Sequence, residues 1–331
     1  MSASADADLG LDAQAPRLVF CSRIEDLPGN TLGALVYGSG ARESVAAAGD
    51  PRLVAVPLEV LPGSHCIEAW VTGGPVTCGT LGALHVSASA DHLFGFLEVE
   101  EARAGGLRHA ARDAYRQLLR FHTRGEHRQL WRIWNFVDAI NDGDGDEERY
   151  RQFCLGRAEG IGSHLDGYPA GTAVGTRNGA RRLQLAWLAG RVPGRPVENP
   201  RQLSAFRYPR QYGPASPSFS RAMRLGDQLL ISGTSSILGH ETVHSGNLAA
   251  QLRESVSNLQ TVARAAGMGA ARLSGVKAYV RRGADLAQAL AQLGKPVVPE
   301  GAACVLAADI CRSDLLIELE AVALAGAAAA P

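Results

Sequence analysis

The 331-residue chain reads as an α+β protein of two mixed-sheet domains, each with helices packed on one face of its sheet. Three observations predict this. A stretch rich in Pro, Gly and Arg, RVPGRPVENPRQ at 191–202, breaks the chain near residue 195. The C-terminal half alternates period-two and helical segments in the order β-β-α-β-α-β-β. The N-terminal half holds helix, strand, helix, strand, strand in the same succession. This fits a diverged internal copy, although two unrelated α+β domains would leave a similar trace. The expected divisions are a disordered start at 1–16, an N-terminal domain at 17–195 and a C-terminal domain at 196–325.

The elements follow from local pattern. In the N-terminal half, RLVAVPLEV (52–60), CIEAWVT (66–72) and HLFGFLEV (92–99) are short strands. GLRHAARDAYRQLLRFH (106–122) is a helix, LWRIWNFV (130–137) a strand, and a second helix begins near Asp144 and runs through ERYRQFCLGRAEGIGSHL. GTAVGT (171–176) and RRLQLAWLA (181–189) close this half as strands. In the C-terminal half, FSRAMRL and QLLISGTSS flank Gly226-Asp227 as a hairpin. The segment 247–267 places Leu248, Leu252, Val256, Leu259 and Val262 on one helical stripe, with Asn247 as N-cap and Gly267 as stop. LSGVKAYVR (273–281) is a strand, DLAQALAQL (285–293) a short helix, and AACVLAADI (302–310) and DLLIELEAVAL the last strands. An AGAAAAP tail is expected to be disordered.

Composition narrows the function classes. Lys+Arg and Asp+Glu are 33 each, so net charge gives no reason to expect nucleic acid or an anionic membrane as partner. No apolar run reaches membrane-spanning length, and the start MSASADADLG lacks the basic and apolar regions of a signal peptide. The six cysteines are scattered without a CxxC pair, which reads as reduced thiols in a cytoplasmic protein rather than a zinc site.

Two strings imitate metal motifs. NDGDGDEERY (141–150) starts like a calcium loop, but its twelfth position from Asp142 is Phe153 and its sixth is not glycine. It reads better as a turn before an acidic helix start. HETVH (240–244) matches a zinc-protease string, yet Gly239 before it and SGN after it place it in a loop. No metal is expected. More informative is the last strand, where Glu318 and Glu320 stand two apart on the face of Leu316 and Val322, opposite Leu315, Ile317, Leu319 and Ala321. Alternation alone does not say which is a solvated charge and which an acid that does chemistry. Lys277, Tyr279 and Arg281 likewise share a strand face. Such charges need protein or ligand partners if a second domain covers the sheet.

From about Pro217 to Leu324 the chain resembles the RidA/YjgF domain, through SFSRAMRLGDQLLISG, QLRESVSNLQTVARAAGM, VKAYVR and IELEAVAL. WRIWNFVDAIN, RYRQFCLGRAEG, VENPRQLSAFRYPRQYGPASPSFSRA, ISGTSSILGHETVHSGN and ADICRSDLLIELEA resemble, more specifically, the chorismatases. Those enzymes join an N-terminal domain to a RidA-like C-terminal one, and the resemblance spans roughly residues 130–324. It implies chorismate as substrate, pyruvate as one product, and 3-hydroxybenzoate, with or without 4-hydroxybenzoate, as the other. The alternatives are a hydrolytic type giving pyruvate and a dihydroxycyclohexadiene carboxylate, and a non-catalytic RidA-like binding module. No cofactor is implied.

By this resemblance Glu318 is the acid that protonates the enol methylene, and Glu320 a neighbour nearer solvent. Cys311 and Ala222 are pocket positions that bear on the product. Arg221, Arg157, Tyr212, Lys277, Tyr279 and Thr234 are candidates for binding the substrate's carboxylates and hydroxyls. Stand-alone RidA deaminases hold a carboxylate with an Arg ahead of the acidic strand. Ala303 stands there, against an imine or enamine deaminase. Those domains form trimers with sites between subunits. Here the N-terminal half would supply the missing walls, which favours a monomer, with a trimer as the alternative.

Overall fold

The computed structural model describes residues 15–269, 271–281 and 303–325. The helix expected over 285–293 lies outside them, as do the first fourteen residues and the last six. The described elements assemble three main sheets and a small hairpin. A four-stranded sheet has the order β1-β5-β2-β3, from β1 (Arg17–Cys21), β2 (Thr31–Tyr37), β3 (Leu53–Val56) and β5 (Ile67–Val71), with α1 (Ala41–Ala48) connecting β2 to β3. Every residue of β2 is buried, as expected of a central strand covered on both faces.

The stretch 52–60, expected as one strand, is two. Pro57 offers no N–H for a ladder, and β4 (Glu59–Val60) leaves β3 to join a different sheet.

Next come β6 (Thr77–Leu81), β7 (Leu84–Ala88), β8 (His92–Glu100), α2 (Glu101–Ala104) and α3 (Leu107–Arg124). Then follow β9 (Gln129–Asp138), α4 (Arg149–Ile161), β10 (Ala170–Thr176) and β11 (Arg182–Gly190). Helix α3 buries Leu107, Ala110, Ala111, Ala114, Tyr115, Leu118 and Leu119, a 3.6-residue stripe that packs on α4 and the sheet. Helix α4 starts later than expected, because Gly145–Glu147 form a 3-10 turn in which Asp146 is held by Arg210. Gly156 lets the two helices touch, since a Cβ there would lie 2.0 Å from the Arg108 carbonyl oxygen.

The remaining elements are β12 (Arg195–Val197), β13 (Ala222–Leu225), β14 (Gln228–Ser235) and the hairpin of β15 (Ile237–Leu238) with β16 (Glu241–Thr242). They end with α5 (Leu248–Ala265), β17 (Arg272–Val280), β18 (Ala303–Ala307), β19 (Asp309–Ile310) and β20 (Ile317–Leu324). Asn247 caps α5, its side chain accepting the Ala250 N–H at 3.0 Å.

The two large sheets repeat one topology. Their orders are β19-β10-β9-β11-β8-β7-β6 and β4-β18-β17-β20-β14-β13-β12. In each, the second and third strands are parallel and the pairs that follow antiparallel. Each sheet also accepts at the same edge a two-residue strand from the other half. β19 pairs with β10, and β4 with β18. The largest core lies between the sheets and combines Trp70, Trp134, Phe136 and Leu188 with Met223, Leu230, Leu306 and Val322. Helix α5 covers the outer face of the second large sheet, and α3 with α4 cover the first.

Candidate active site

A cavity of about 420 Å³ opens where β10, β14, the start of β20 and the segment 208–221 converge. Glu318 reaches it from β20, a central strand bonded to β14 on one side and β17 on the other. Among the described residues its carboxyl accepts one hydrogen bond, from Ser235 Oγ at 3.1 Å. A register shift in β14 between Ile231 and Thr234 sets Gly233 beneath it. A Cβ on Gly233 would stand 2.2 Å from Glu318 Oε1, so only glycine leaves the carboxyl its place.

Glu320, two residues on, points into protein rather than toward water. Arg132 Nη2 lies 2.7 Å and Lys277 Nζ 2.6 Å from its oxygens. Trp134, Thr172 and Tyr279 donate to it at 2.9, 2.8 and 3.2 Å. The expectation that Glu320 lies nearer solvent is therefore corrected: the small sheet and β9 cover it. These surroundings separate the two acids. Burial pushes the Glu318 carboxyl up to about 7, with the Glu320 charge adding to the rise and the Ser235 bond opposing it. Burial would raise Glu320 too, but Arg132 and Lys277 overcome it and hold that carboxyl at about 2. The surroundings thus push two carboxyls on one strand to opposite sides of the ordinary glutamate value, the arrangement in which one serves as a proton donor.

Three guanidinium groups line the same cavity. Arg157 donates to Ser218 O at 2.7 Å and lies 5.0 Å from the Tyr115 ring centre. Arg221 donates to Leu203 O at 2.9 Å and Tyr208 Oη at 2.8 Å. Arg312 lies 4.0 Å from the Tyr212 ring centre and donates to His240 O at 2.8 Å. None forms an ion pair among the described residues, and each keeps one buried nitrogen without a partner there: Arg157 Nε, Arg221 Nε and Arg312 Nη2. Cations held by carbonyls and aromatic rings are suited to an anionic ligand with more than one carboxylate.

The profile described as chorismatase FkbO/Hyg5-like, N-terminal, matches residues 68–189. A 3-hydroxybenzoate synthase of Streptomyces hygroscopicus is 33% identical over 317 residues, covering 89% of this chain and 92% of that one. A chorismatase of Streptomyces rapamycinicus is 35% identical over 321 residues, covering 90% and 94%. The chain belongs to the chorismatase family. A chorismatase crystal structure also matches its fold with a TM-score of 0.83, at 29% identity, covering 94% of this chain and 99% of that one.

In this chorismatase the sequence candidates divide. Glu318, Arg221, Arg157, Tyr212 and Cys311 all line the cavity. Cys311 sits half-buried in its wall, its thiol pushed up to about 12 by burial and by the nearby Glu318. Lys277 and Tyr279 face Glu320 and Glu318 across the β17–β20 ladder, but their ends lie behind the cavity wall, against Glu68, Tyr37 and Glu320. Ala222 lies in the core beneath α5, because its side of β13 is the helix-covered one. Thr234 turns its hydroxyl back to Ser232 O at 2.7 Å and does not line the cavity. Sequence reasoning missed Arg312, Tyr208, Gly233, Ser235, Thr172 and Arg132. Arg312 follows Cys311 directly, and Arg132 stands as a lone cation in the apolar strand LWRIWNFV, so both left a trace. The string HETVH lies on the β15–β16 hairpin rather than a helix, with His240 Nδ1 3.3 Å from Tyr212 Oη. Among the described residues no helix is long and apolar enough to cross a membrane.

Proposed function

We propose that this chorismatase cleaves the enolpyruvyl ether of chorismate, giving pyruvate and 3-hydroxybenzoate. The observation that carries the reading is a carboxyl poised near neutrality in a cavity with three unpaired guanidiniums. Chorismate bears two carboxylates, and Arg157, Arg221 and Arg312 offer planar donor pairs to them. Glu318 gives its proton to the terminal methylene of the enol ether, leaving an oxocarbenium-like centre beside the ionised carboxylate. The neighbouring ring hydroxyl then attacks that centre and gives up its proton. Its own ring C–O bond breaks as the ether-bearing ring carbon loses its hydrogen. The ketal collapses to pyruvate, which keeps the former hydroxyl oxygen, and the phenol, which takes one of the two released protons while the other returns to Glu318. Substrate and products have the same atoms, so no external water is consumed. The relative named 3-hydroxybenzoate synthase supports this product over others. Both halves of the chain line the cavity, Arg157 and Thr172 from the first and Arg221, Arg312 and Glu318 from the second, which supports a monomer as the working unit.

The test is incubation of the purified protein with chorismate, with products identified by mass and ultraviolet absorption. Pyruvate with 3-hydroxybenzoate in equal amounts is expected. Pyruvate with a non-aromatic diene acid would place the protein in the hydrolytic type. Binding without pyruvate would make it a non-catalytic module and overturn the proposal.

A further inference from the structure

Behind Glu318 runs a buried chain of charges that the proposed reaction does not touch. Lys277 Nζ bonds both Glu68, from β5 of the small sheet, and Glu320. Arg132, from β9, completes Glu320 and also donates to Ile231 O at 2.6 Å and Thr172 Oγ1 at 2.7 Å. Tyr37 Oη donates to Glu68 at 2.7 Å, and Trp70 Nε1 does so at 3.1 Å. The side chains of Glu68, Lys277, Arg132 and Glu320 are all within a few per cent of full burial. Two cations and two anions therefore occupy one dry volume, with no net charge. Ion pairs of this kind seldom add stability over an apolar filling, so their retention calls for another account. One of the four strands that supply them, β20, also bears the acid, and two others, β9 and β17, pair directly with strands that line the cavity, β10 and β20.

We infer that Glu68 and Lys277, neither of which lines the cavity, are positioning residues for the proton donor. With Arg132 and Glu320 they close a neutral four-charge circuit, so that the protein behind Glu318 carries no net charge and the unpaired cations it meets are those of the cavity, Arg221 among them. Arg132 and Lys277 are fixed there to orient Glu320 and the strands. Left unbalanced, they would draw the proton off Glu318 before substrate arrived. The groups that face Glu318 are Ser235 from β14, Arg221, Cys311, Tyr279 from β17, Arg132 from β9 and Glu320. Those facing Glu68 and Lys277 are Tyr37, Trp70, Tyr279, Cys304 and Glu320. Only the circuit itself can therefore offset its cations.

The inference rests on Glu318 being the acid, and its test separates the two. The carboxyl band of Glu318, identified by infrared difference against Glu318→Gln, is titrated without substrate, and the pH profile of pyruvate release is measured beside it. In Glu68→Gln both midpoints move down by about one pH unit, because a cation is left uncompensated. In Lys277→Met they move up by a similar amount. The double variant, neutral again, returns to the native midpoint, which a merely structural role would not produce. If one single variant proves too unstable to titrate, the other decides by the direction of its shift. Glu320→Gln is expected to shift down further than Glu68→Gln. Midpoints that stay put, or that move in the same direction in both single variants, overturn the inference. A carboxyl band that moves as expected while pyruvate release does not follow would instead overturn Glu318 as the proton donor.

Discussion

Glu318 and Glu320 differ by what surrounds them, and their variants should differ accordingly. Glu318→Gln keeps the shape and the Ser235 contact but carries no transferable proton. Pyruvate release should fall by about 10²–10⁴-fold while circular dichroism and ligand binding persist. The same substitution should affect stability in the opposite sense. The Glu318 carboxyl sits at about 7 when folded against an ordinary 4.5. The folded state therefore holds the proton to higher pH, and this favourable term is full below 4.5 and lost as pH rises through 7. The loss amounts to about 3 kcal/mol for a shift of this size. Thermal scans at pH 5 and pH 8 should show Glu318→Gln gaining on the parent as pH rises, and a constant gap would refute the raised carboxyl. Glu320→Gln should lose stability by about 3 kcal/mol, since it leaves Arg132 and Lys277 facing a neutral amide in a buried site. Alternation in IELEAV put both acids on one face, but it carries no record of Arg132 or Glu68, which arrive from strands remote in sequence.

At the scale of elements, period and punctuation located most strands and helices to within a few residues, because Leu248-Leu252-Leu259 and the α3 stripe are strongly periodic. They gave no reading at β1, β2, α1, β6 and β7, and failed where one residue diverts the chain, as Pro57 does between β3 and β4. They also failed where a bulge is needed. Nothing local distinguishes Gly233 in LLISGTSS from other strand glycines, and its role appears only when Glu318 is laid across it. Gly233→Ala should therefore cost far more activity than stability, with pyruvate release reduced at least ten-fold, because the carboxyl must swing out of its place. An alanine that leaves the rate unchanged would show that the carboxyl has another productive position. Away from the site, Asn247→Ala removes the cap of α5. It should lower stability by about 1 kcal/mol with turnover unaffected, as denaturant melts would show.

The molecule as a whole is two copies of one sheet topology pressed face to face and tied by reciprocal strands. The sequence hinted at the repeat through the recurring order of helices and strands, yet slight residue identity hid the exchange of β4 and β19, which are two residues long and carry no signal of their own. All four tryptophans, Trp70, Trp131, Trp134 and Trp187, lie in the N-terminal half. Their fluorescence therefore follows that half, whereas far-ultraviolet dichroism follows both. Because the main core and the Glu68–Lys277 contact span the two, the transitions should coincide in denaturant. Separate midpoints would mean that the halves unfold independently. The reciprocal strands also bear on recombination. β19 carries the chain from the second large sheet to the edge of the first, and Cys311 and Arg312 follow it directly into the cavity wall. A chimera of two relatives joined at residue 195 would therefore inherit a foreign strand at each sheet edge and a hybrid cavity. Crossovers that transplant 59–60 with the second half, and 309–312 with the first, would keep each sheet with its own edge.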